Sequence, residues 1–373
     1  MKNVMGVIYT GEKDSFLREL TLLRAIAAMP VAGRYRVIDF LVSGMVNSGI
    51  RNVGVIMQKN YHSLMDHLGS GKEWDLHGKN DGLYILPPFL TRENVGVYNG
   101  SLDALHSNMG YLRRSRQEYV LLCNSLIVFN PNFNDMFASF MHSGSDVMIM
   151  YTKDPSMQRP EYGTYFNLDD DGAIVDIEID PTKPRYGNTS MDVFLMRKEL
   201  LMDLVDRGAA HGYHDLTRDI FQRMIRDAGM SVSGYEYKDI CFRMDSVQSY
   251  FQFNLATLEP DVRHRLFPDD RPVYTKVRDE LPARYLDDAK VINSMMADGC
   301  IINGTVEHSV LFRGVQIDKG ACVKNCIIMQ DSRVEEGAQL ENCILDKQAV
   351  IKRDGRLIGP SAYPIVISKN MVI

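Results

Sequence analysis

Cysteine, tryptophan and clustered positive charge are all scarce in this chain. Its 373 residues include six cysteines and one tryptophan, and 42 Lys and Arg are outnumbered by 48 Asp and Glu, for a net charge of -6. Six cysteines among apolar neighbours in so long a chain exclude a disulfide-stapled scaffold and fit a reducing cytoplasm. The densest basic run is Arg113-Arg114-Ser115-Arg116. It is too short to neutralise a nucleic acid backbone and reads as a solvated helix face. No apolar stretch approaches the ~20 residues of a membrane span. The segment from Met1 to Tyr9 runs straight into strand-like sequence, without the apolar region and cleavage site of a signal peptide. The expectation is a cytoplasmic protein with no nucleic acid and no membrane partner. A 45% hydrophobic and 24% charged composition is ordinary for a globular protein with a core, and the length leaves room for about two domains.

What is present is a repeat. Val306, Val323 and Leu340 lie 17 residues apart, as do Ser309, Cys326 and Cys343, and as do Leu311, Ile328 and Leu345. Between Cys300 and Ile351 the apolar positions fall five or six residues apart: Cys300, Val306, Leu311, Ile317, Val323, Ile328, Val334, Leu340, Leu345, Ile351. A helix requires a period of 3.6, whereas three short strands per turn of a triangular coil account for 17. Each turn stacks its inward aliphatic side chains on those of the next. Cys322, Cys326 and Cys343 invite a metal reading, but Cys326 and Cys343 share their repeat position with Ser309. A ladder of small inward residues explains them without metal. His308 is likewise a repeat position, with a structural role.

Before the repeat the pattern is α/β. Val4 to Tyr9, Asn52 to Met57, Tyr119 to Cys123 and Val147 to Tyr151 read as buried strands. Ile38, Leu41, Val42, Met45 and Val46 follow helical spacing up to Gly49. The alternation predicts a mostly parallel sheet. Asp169-Asp170-Asp171-Gly172 lacks the later ligands of a calcium loop and reads as a hairpin turn. We divide the chain into an α/β domain at 1–257, a proline- and charge-rich connection at 258–289 and the coil at 290–373. Ligands of such a sheet bind beyond the carboxyl ends of its strands, which directs attention to the loops after Tyr9, Gln58, Cys123 and Arg243.

Those loops, in order and together with the coil, resemble the ADP-glucose pyrophosphorylase (glucose-1-phosphate adenylyltransferase) family over nearly the whole chain. The family's Gly-Gly-Lys-Tyr-Arg-Ile-Ile-Asp-Phe appears as Ala32-Gly33-Arg34-Tyr35-Arg36-Val37-Ile38-Asp39-Phe40, followed by Asn47-Ser48-Gly49-Ile50. Its strand ending in Thr-Gln appears as Val53 to Gln58, and its Gly-Thr-Ala-Asp-Ala as Gly100-Ser101-Leu102-Asp103-Ala104. Ser309 to Val315 and Ile327 to Asp331 are similar to the family's own coil turns. The resemblance implies a Rossmann-like nucleotidyltransferase domain followed by a left-handed parallel β-helix. It also implies a reaction joining the α-phosphate of ATP to glucose 1-phosphate, with pyrophosphate released. In the family, a Gly-rich loop with an Arg cradles the triphosphate and two Asp residues hold Mg²⁺.

The chain departs from the family at those catalytic positions. The Gly-Gly-x-Gly-x-Arg-Leu loop is Gly11-Glu12-Lys13-Asp14-Ser15-Phe16-Leu17, with Phe16 for the arginine and Glu12 and Asp14 adding negative charge. The Lys-Pro that follows is Ile26-Ala27, and the metal-holding Gly-Asp is Asn124-Ser125. The second metal Asp aligns with Arg243, two residues before Asp245, and the sugar-phosphate Glu-Lys-Pro with Ile179-Asp180-Pro181. Removing one transition-state charge contact costs ~2.7–4 kcal/mol, so losing several leaves little catalysis.

The resemblance therefore implies a degenerate, regulatory subunit of glycogen biosynthesis. Its partner is a catalytic ADP-glucose pyrophosphorylase subunit, in a heterotetramer, and Mg²⁺ is expected only in that partner. Gln58, Gly100 and Ser101 match positions that hold the adenine side of ATP, although packing and turn geometry explain them equally well. Arg34 and Arg36 match a basic segment near the family's effector site and suit a phosphorylated effector; a surface ion pair is the plain alternative. No catalytic and no metal-binding residue is assigned. Two other functions stay open: an adenylyltransferase with low activity alone, and a free-standing sugar-nucleotide-binding sensor or scaffold.

Overall fold

The computed structural model describes residues 1–11, 17–78, 81–88, 98–227 and 229–373. Two compact units result, and no single cut separates them: segments around 17–39 and 242–270 group with the coil.

The first unit is built on a nine-stranded sheet. Its strands are β1 (Val4–Tyr9), β2 (Val53–Ile56), β3 (Leu83–Leu86), β4 (Tyr119–Asn124), β5 (Val147–Thr152), β6 (Thr164–Leu168), β7 (Ile174–Ile179), β8 (Asn188–Arg197) and β9 (Val232–Glu236). Hydrogen-bonded neighbours run β7-β6-β8-β4-β1-β2-β3, with β5 on β8 and β9 on β5. Strand β1 is buried at every position and parallel to both β2 and β4, as a strand covered on both faces requires. The helix Val37–Asn47 follows the predicted spacing and ends at Gly49, whose φ of +83° is open to glycine without strain.

The sheet is not mostly parallel, as the alternation suggested. Strand β8 runs antiparallel to β4, β5 and β6. The reason is local: β6 and β7 form an antiparallel hairpin, and strands joined by tight turns reverse without a crossover helix. That hairpin closes at Asp169-Asp170-Asp171-Gly172, where the Asp169 carboxylate accepts from the backbone N–H of Asp171 (3.1 Å) and Ala173 (2.8 Å). The acidic triplet is a turn.

The second unit contains a left-handed parallel β-helix, three sheets of five parallel strands each. Its first strand is Arg284–Tyr285 and its last Ile365–Ile367. The predicted inward positions Cys300, Val306, Leu311, Ile317, Val323, Ile328, Val334, Leu340, Leu345 and Ile351 form one buried column. Strands Thr305–Glu307, Cys322–Lys324 and Gln339–Glu341 stack in the 17-residue register. The corners repeat as well. Left-handed backbone recurs at His308, Asn325 and Asn342, at Gly314, Asp331 and Gln348, and at Gly320, Gly337 and Asp354. Gly, Asn and Asp adopt that conformation at least cost, which is why these types recur at the corners. Ser309, Cys326 and Cys343 all point inward, and each donates to the carbonyl two residues earlier, on Glu307, Lys324 and Glu341. Burial pushes the Cys326 thiol well above its ordinary range, so it sits there as a neutral small side chain.

Among the described residues no helix is long and apolar enough to cross a membrane.

Candidate functional site

The carboxyl ends of β1, β2 and β4 lie side by side, with Tyr9 paired to Ile56 on one flank and to Asn124 on the other. The loop leaving β1 is held at its start, because the Thr10 N–H and hydroxyl both donate to the Ile56 carbonyl (3.0 and 3.1 Å). Glu12, Asp14 and Phe16, the departures noted in that loop, lie outside the described residues.

Gln58 stands just beyond β2, half-buried. Its Nε2 donates to the Tyr9 hydroxyl (2.9 Å) and to the Tyr98 carbonyl (3.1 Å). Gly100 and Ser101 open the helix Ser101–Ser107. A Cβ on Gly100 would lie 2.2 Å from the His214 carbonyl, so only glycine allows this approach. The Ser101 hydroxyl accepts from the Leu216 N–H (3.1 Å) and Leu102 N–H donates to the His214 carbonyl (2.9 Å). Asp103 accepts from the His214 ring (2.9 Å). That hydrogen bond and the Asp103 charge raise the His214 pKa above its ordinary value. Gly100 and Ser101 thus bind this helix to the 214–216 segment, while Gln58 hydrogen-bonds to Tyr9 and to the Tyr98 carbonyl just before that helix.

The positions aligned with the family's metal and sugar-phosphate groups carry different chemistry. Ser125 is fully buried after β4, and the neighbouring Asn124 side chain accepts from the Leu126 N–H (3.0 Å). Asp180, beyond β7, holds left-handed backbone (φ 51°) and pairs with Arg218 at 2.5 Å. In the second unit Arg243 is buried on the short strand Phe242–Arg243. The Asp245 carboxylate accepts from the Ser249 hydroxyl at 3.3 Å, at the start of the helix Val247–Ala256. Among the described residues no three His, Cys, Asp or Glu side chains gather as a metal site. A neutral hydroxyl at 125 and a guanidinium at 243 bring no negative charge to those positions, whereas Mg²⁺ in such sites is bound through one or two carboxylates together with substrate phosphates.

Arg34 and Arg36 belong to the second unit, and their surroundings differ. Arg34 is exposed, its guanidinium 5.8 Å from the Tyr35 ring centre and its carbonyl accepting from Arg313 (3.3 Å). Arg36 is buried, and its N–H donates to Asp39 (2.8 Å). Sequence reasoning missed the groups around it. Arg24 is buried and pairs with both oxygens of Asp346, at 2.6 and 2.5 Å. Lys347 is pushed down to about 7, first by burial and then by the positive charges of Arg36 and Arg24. Arg313 is likewise lowered by burial and by Arg278 and Arg34. Each arginine of the predicted pair thus acts electrostatically on a cation of the coil. The only signal for Arg24 was its place 12 residues before Arg36, and for Lys347 its neighbour Asp346, neither of which forms a motif.

A nine-stranded α/β sheet followed by a coil of three parallel five-stranded sheets fits one class: a nucleotidyltransferase domain carrying a β-helix. The nucleotidyl transferase family model matches residues 5–252, and the GlmU-like, C-terminal hexapeptide model residues 282–362. A glycogen biosynthesis protein GlgD of Bacillus subtilis is 34% identical over 99% of this chain and 96% of its own length. GlgD of Geobacillus stearothermophilus is 36% identical over 86% of this chain and 82% of its own length. The glucose-1-phosphate adenylyltransferase of Thermotoga neapolitana is 31% identical over 87% of this chain and 77% of its own length. The chain belongs to the nucleotidyl transferase family, among the ADP-glucose pyrophosphorylase-like proteins of glycogen biosynthesis.

Proposed function

We propose that this chain is a regulatory subunit of glucose-1-phosphate adenylyltransferase, modulating a catalytic partner rather than carrying the reaction. The observation that carries this reading is Ser125. In-line attack on the α-phosphate of ATP requires the triphosphate charge to be neutralised, and a buried hydroxyl stands where an anionic metal ligand belongs. Arg243 at the second carboxylate position and Asp180 at the sugar-phosphate lysine position support the same reading.

A subunit without chemistry acts by binding a catalytic chain differently in two states, with a coupling energy of typically ~1–3 kcal/mol. Gln58, Gly100 and Ser101 are the nucleotide-facing candidates. Arg34 and Arg36, with Arg24 and Lys347 beside Arg36, suit a phosphorylated effector: guanidinium forks bind phosphate oxygens bidentately. The assembly we propose is a mixed tetramer of two chains of each kind, with Mg²⁺ held by the catalytic partner and the complex residing in the cytoplasm.

The test combines light scattering after size exclusion with kinetics on the same mixture of this chain and a catalytic relative. The two chains should share a peak, and the apparent substrate affinity or activity of the catalytic chain should change. Arg34→Ala should weaken that change more than it weakens assembly. Separate elution at micromolar concentration, with kinetics equal to those of the catalytic chain alone, would leave the free-standing sensor as the better reading.

A further inference from the structure

We propose that Tyr9 is a built-in occupant of the nucleotide site, so that an adenine nucleotide enters this chain only when the Tyr9 ring leaves. The inference rests on the nucleotide reading of Gln58 given above.

Three contacts within the first unit carry it. Glycine in a phosphate-cradling loop lets backbone N–H groups reach the ligand where no side chain intervenes. Over Gly11 that space is filled: a Cβ there would lie 2.1 Å from the Tyr9 hydroxyl oxygen and 2.2 Å from the ring carbon that bears it. What the missing side chain admits is the chain's own phenol. The same hydroxyl accepts from Gln58 Nε2 at 2.9 Å, and that nitrogen also donates to the Tyr98 carbonyl at 3.1 Å. A primary amide has two donor hydrogens, and both are committed. Glutamine reads adenine by donating to a ring nitrogen while accepting from the exocyclic amine, so only the accepting half is available while Tyr9 stays.

The ring is also held from the side. Tyr9 is 8% exposed and packs in the apolar cluster that includes Ile56, Tyr98 and Leu102. It therefore joins the ends of β1 and β2 to the stretch that leads into Gly100. An ordinary core tyrosine explains the packing. It does not explain why the hydroxyl end lies at the carboxyl edge of the sheet, over the loop glycine and on the base-reading amide.

Equilibrium dialysis of the full chain against radiolabelled ATP tests this, with wild type, Tyr9→Phe and Tyr9→Ala compared and thermal melting run on each. Tyr9→Ala should bind at least about tenfold more tightly than wild type, equivalent to ~1.4 kcal/mol. Tyr9→Phe, which keeps the ring and frees one Gln58 hydrogen, should fall between them. Where Tyr9→Ala melts early, Tyr9→Leu serves, since it keeps apolar packing without reaching Gln58. Wild type binding ATP as tightly as the alanine and leucine variants would overturn the proposal, because the ring would then be no obstacle. Absence of ATP binding in every variant at millimolar concentration would overturn the nucleotide reading itself, and this proposal with it. Adding Gln58→Ala to Tyr9→Ala should abolish the gain; a gain that survives would overturn the reading of Gln58 on which the proposal rests.

Discussion

The coil and the strand ends of the α/β unit hold to their family's pattern to different degrees. In the coil, positions 17 apart keep their type: the inward column is apolar throughout, and the corners repeat left-handed backbone at His308, Asn325 and Asn342. At the strand ends, Ser125 and Asp180 stand where the family's chemistry requires an Asp and a Lys. A repeat is constrained at every turn by the turn beside it, because each buries its neighbour's face. A catalytic residue is constrained by the reaction alone, and once that demand is gone a buried serine or an exposed Asp–Arg pair folds as well. On the reading proposed above, the frame is kept while the charged groups of catalysis are replaced.

The sharpest way to probe the frame is a contact outside the repeat. Arg24 and Asp346 form a buried pair, one guanidinium nitrogen reaching both carboxylate oxygens, that links the N-terminal segment of the second unit to the coil, with side chains 4% and 3% exposed. Removing one partner of such a pair leaves an uncompensated buried charge, which costs about 3–5 kcal/mol. Arg24→Ala should therefore lower stability by that amount in chemical denaturation. Replacing both, as Arg24→Met with Asp346→Leu, should recover most of the loss. A loss below ~1 kcal/mol for Arg24→Ala would mean that the pair is hydrated, and the frame looser than its geometry.

Within the coil, the inward column and the small-residue ladder should respond differently. Leu340 is 2% exposed in the apolar column, and Leu→Ala in a close-packed core costs ~2–5 kcal/mol. Cys343→Ser should cost under about 1 kcal/mol, since Ser309 already makes the equivalent bond to Glu307 at 2.7 Å and a hydroxyl hydrogen bond returns part of the loss. Comparing the two midpoints checks this. A Cys343→Ser variant as damaged as Leu340→Ala would mean that the ladder demands sulfur rather than a small donor.

How much of this was legible beforehand follows from the range of each interaction. The coil was legible because its signal is local and repeated: three residues 17 apart predict strand, register and face together. The buried strands Val4–Tyr9 and Tyr119–Asn124 were legible as apolar runs, but strand direction was not, since apolar runs carry no polarity and the reversal at β8 depends on the hairpin before it. In the candidate site, the replacements at 125, 180 and 243 were visible only against the family's motifs. Arg24 was invisible, because its partner lies 322 residues away and a lone arginine in a loop has no pattern. The Tyr9–Gln58 bond was equally hidden: Tyr9 read as the last residue of a strand, and only packing turns its hydroxyl onto the amide.

The dependence on pH tests whether the basic cluster is more than frame. Burial, then the charges of Arg36 and Arg24, hold Lys347 down to about 7, whereas an unfolded lysine titrates near 10.4. Between those pH values the unfolded chain keeps the proton and the folded chain sheds it. Stability should therefore rise with pH from about 7 toward about 10, by at most ~1.4 kcal/mol per pH unit from this group. The partial exposure of Lys347 reduces that slope. Lys347→Met should flatten it, measured by denaturation at about pH 7 and about pH 9. The same proton reports on ligand binding. An anion seated beside Arg24, Arg36 and Lys347 favours the charged lysine, so binding should take up a proton and weaken as pH rises above about 7. Calorimetry with inorganic phosphate in two buffers of different ionisation heat measures the uptake directly. Binding with no uptake, and with the same affinity at about pH 6 and about pH 8.5, would reduce the cluster to a structural ion network and leave Arg34 as the only candidate for the effector.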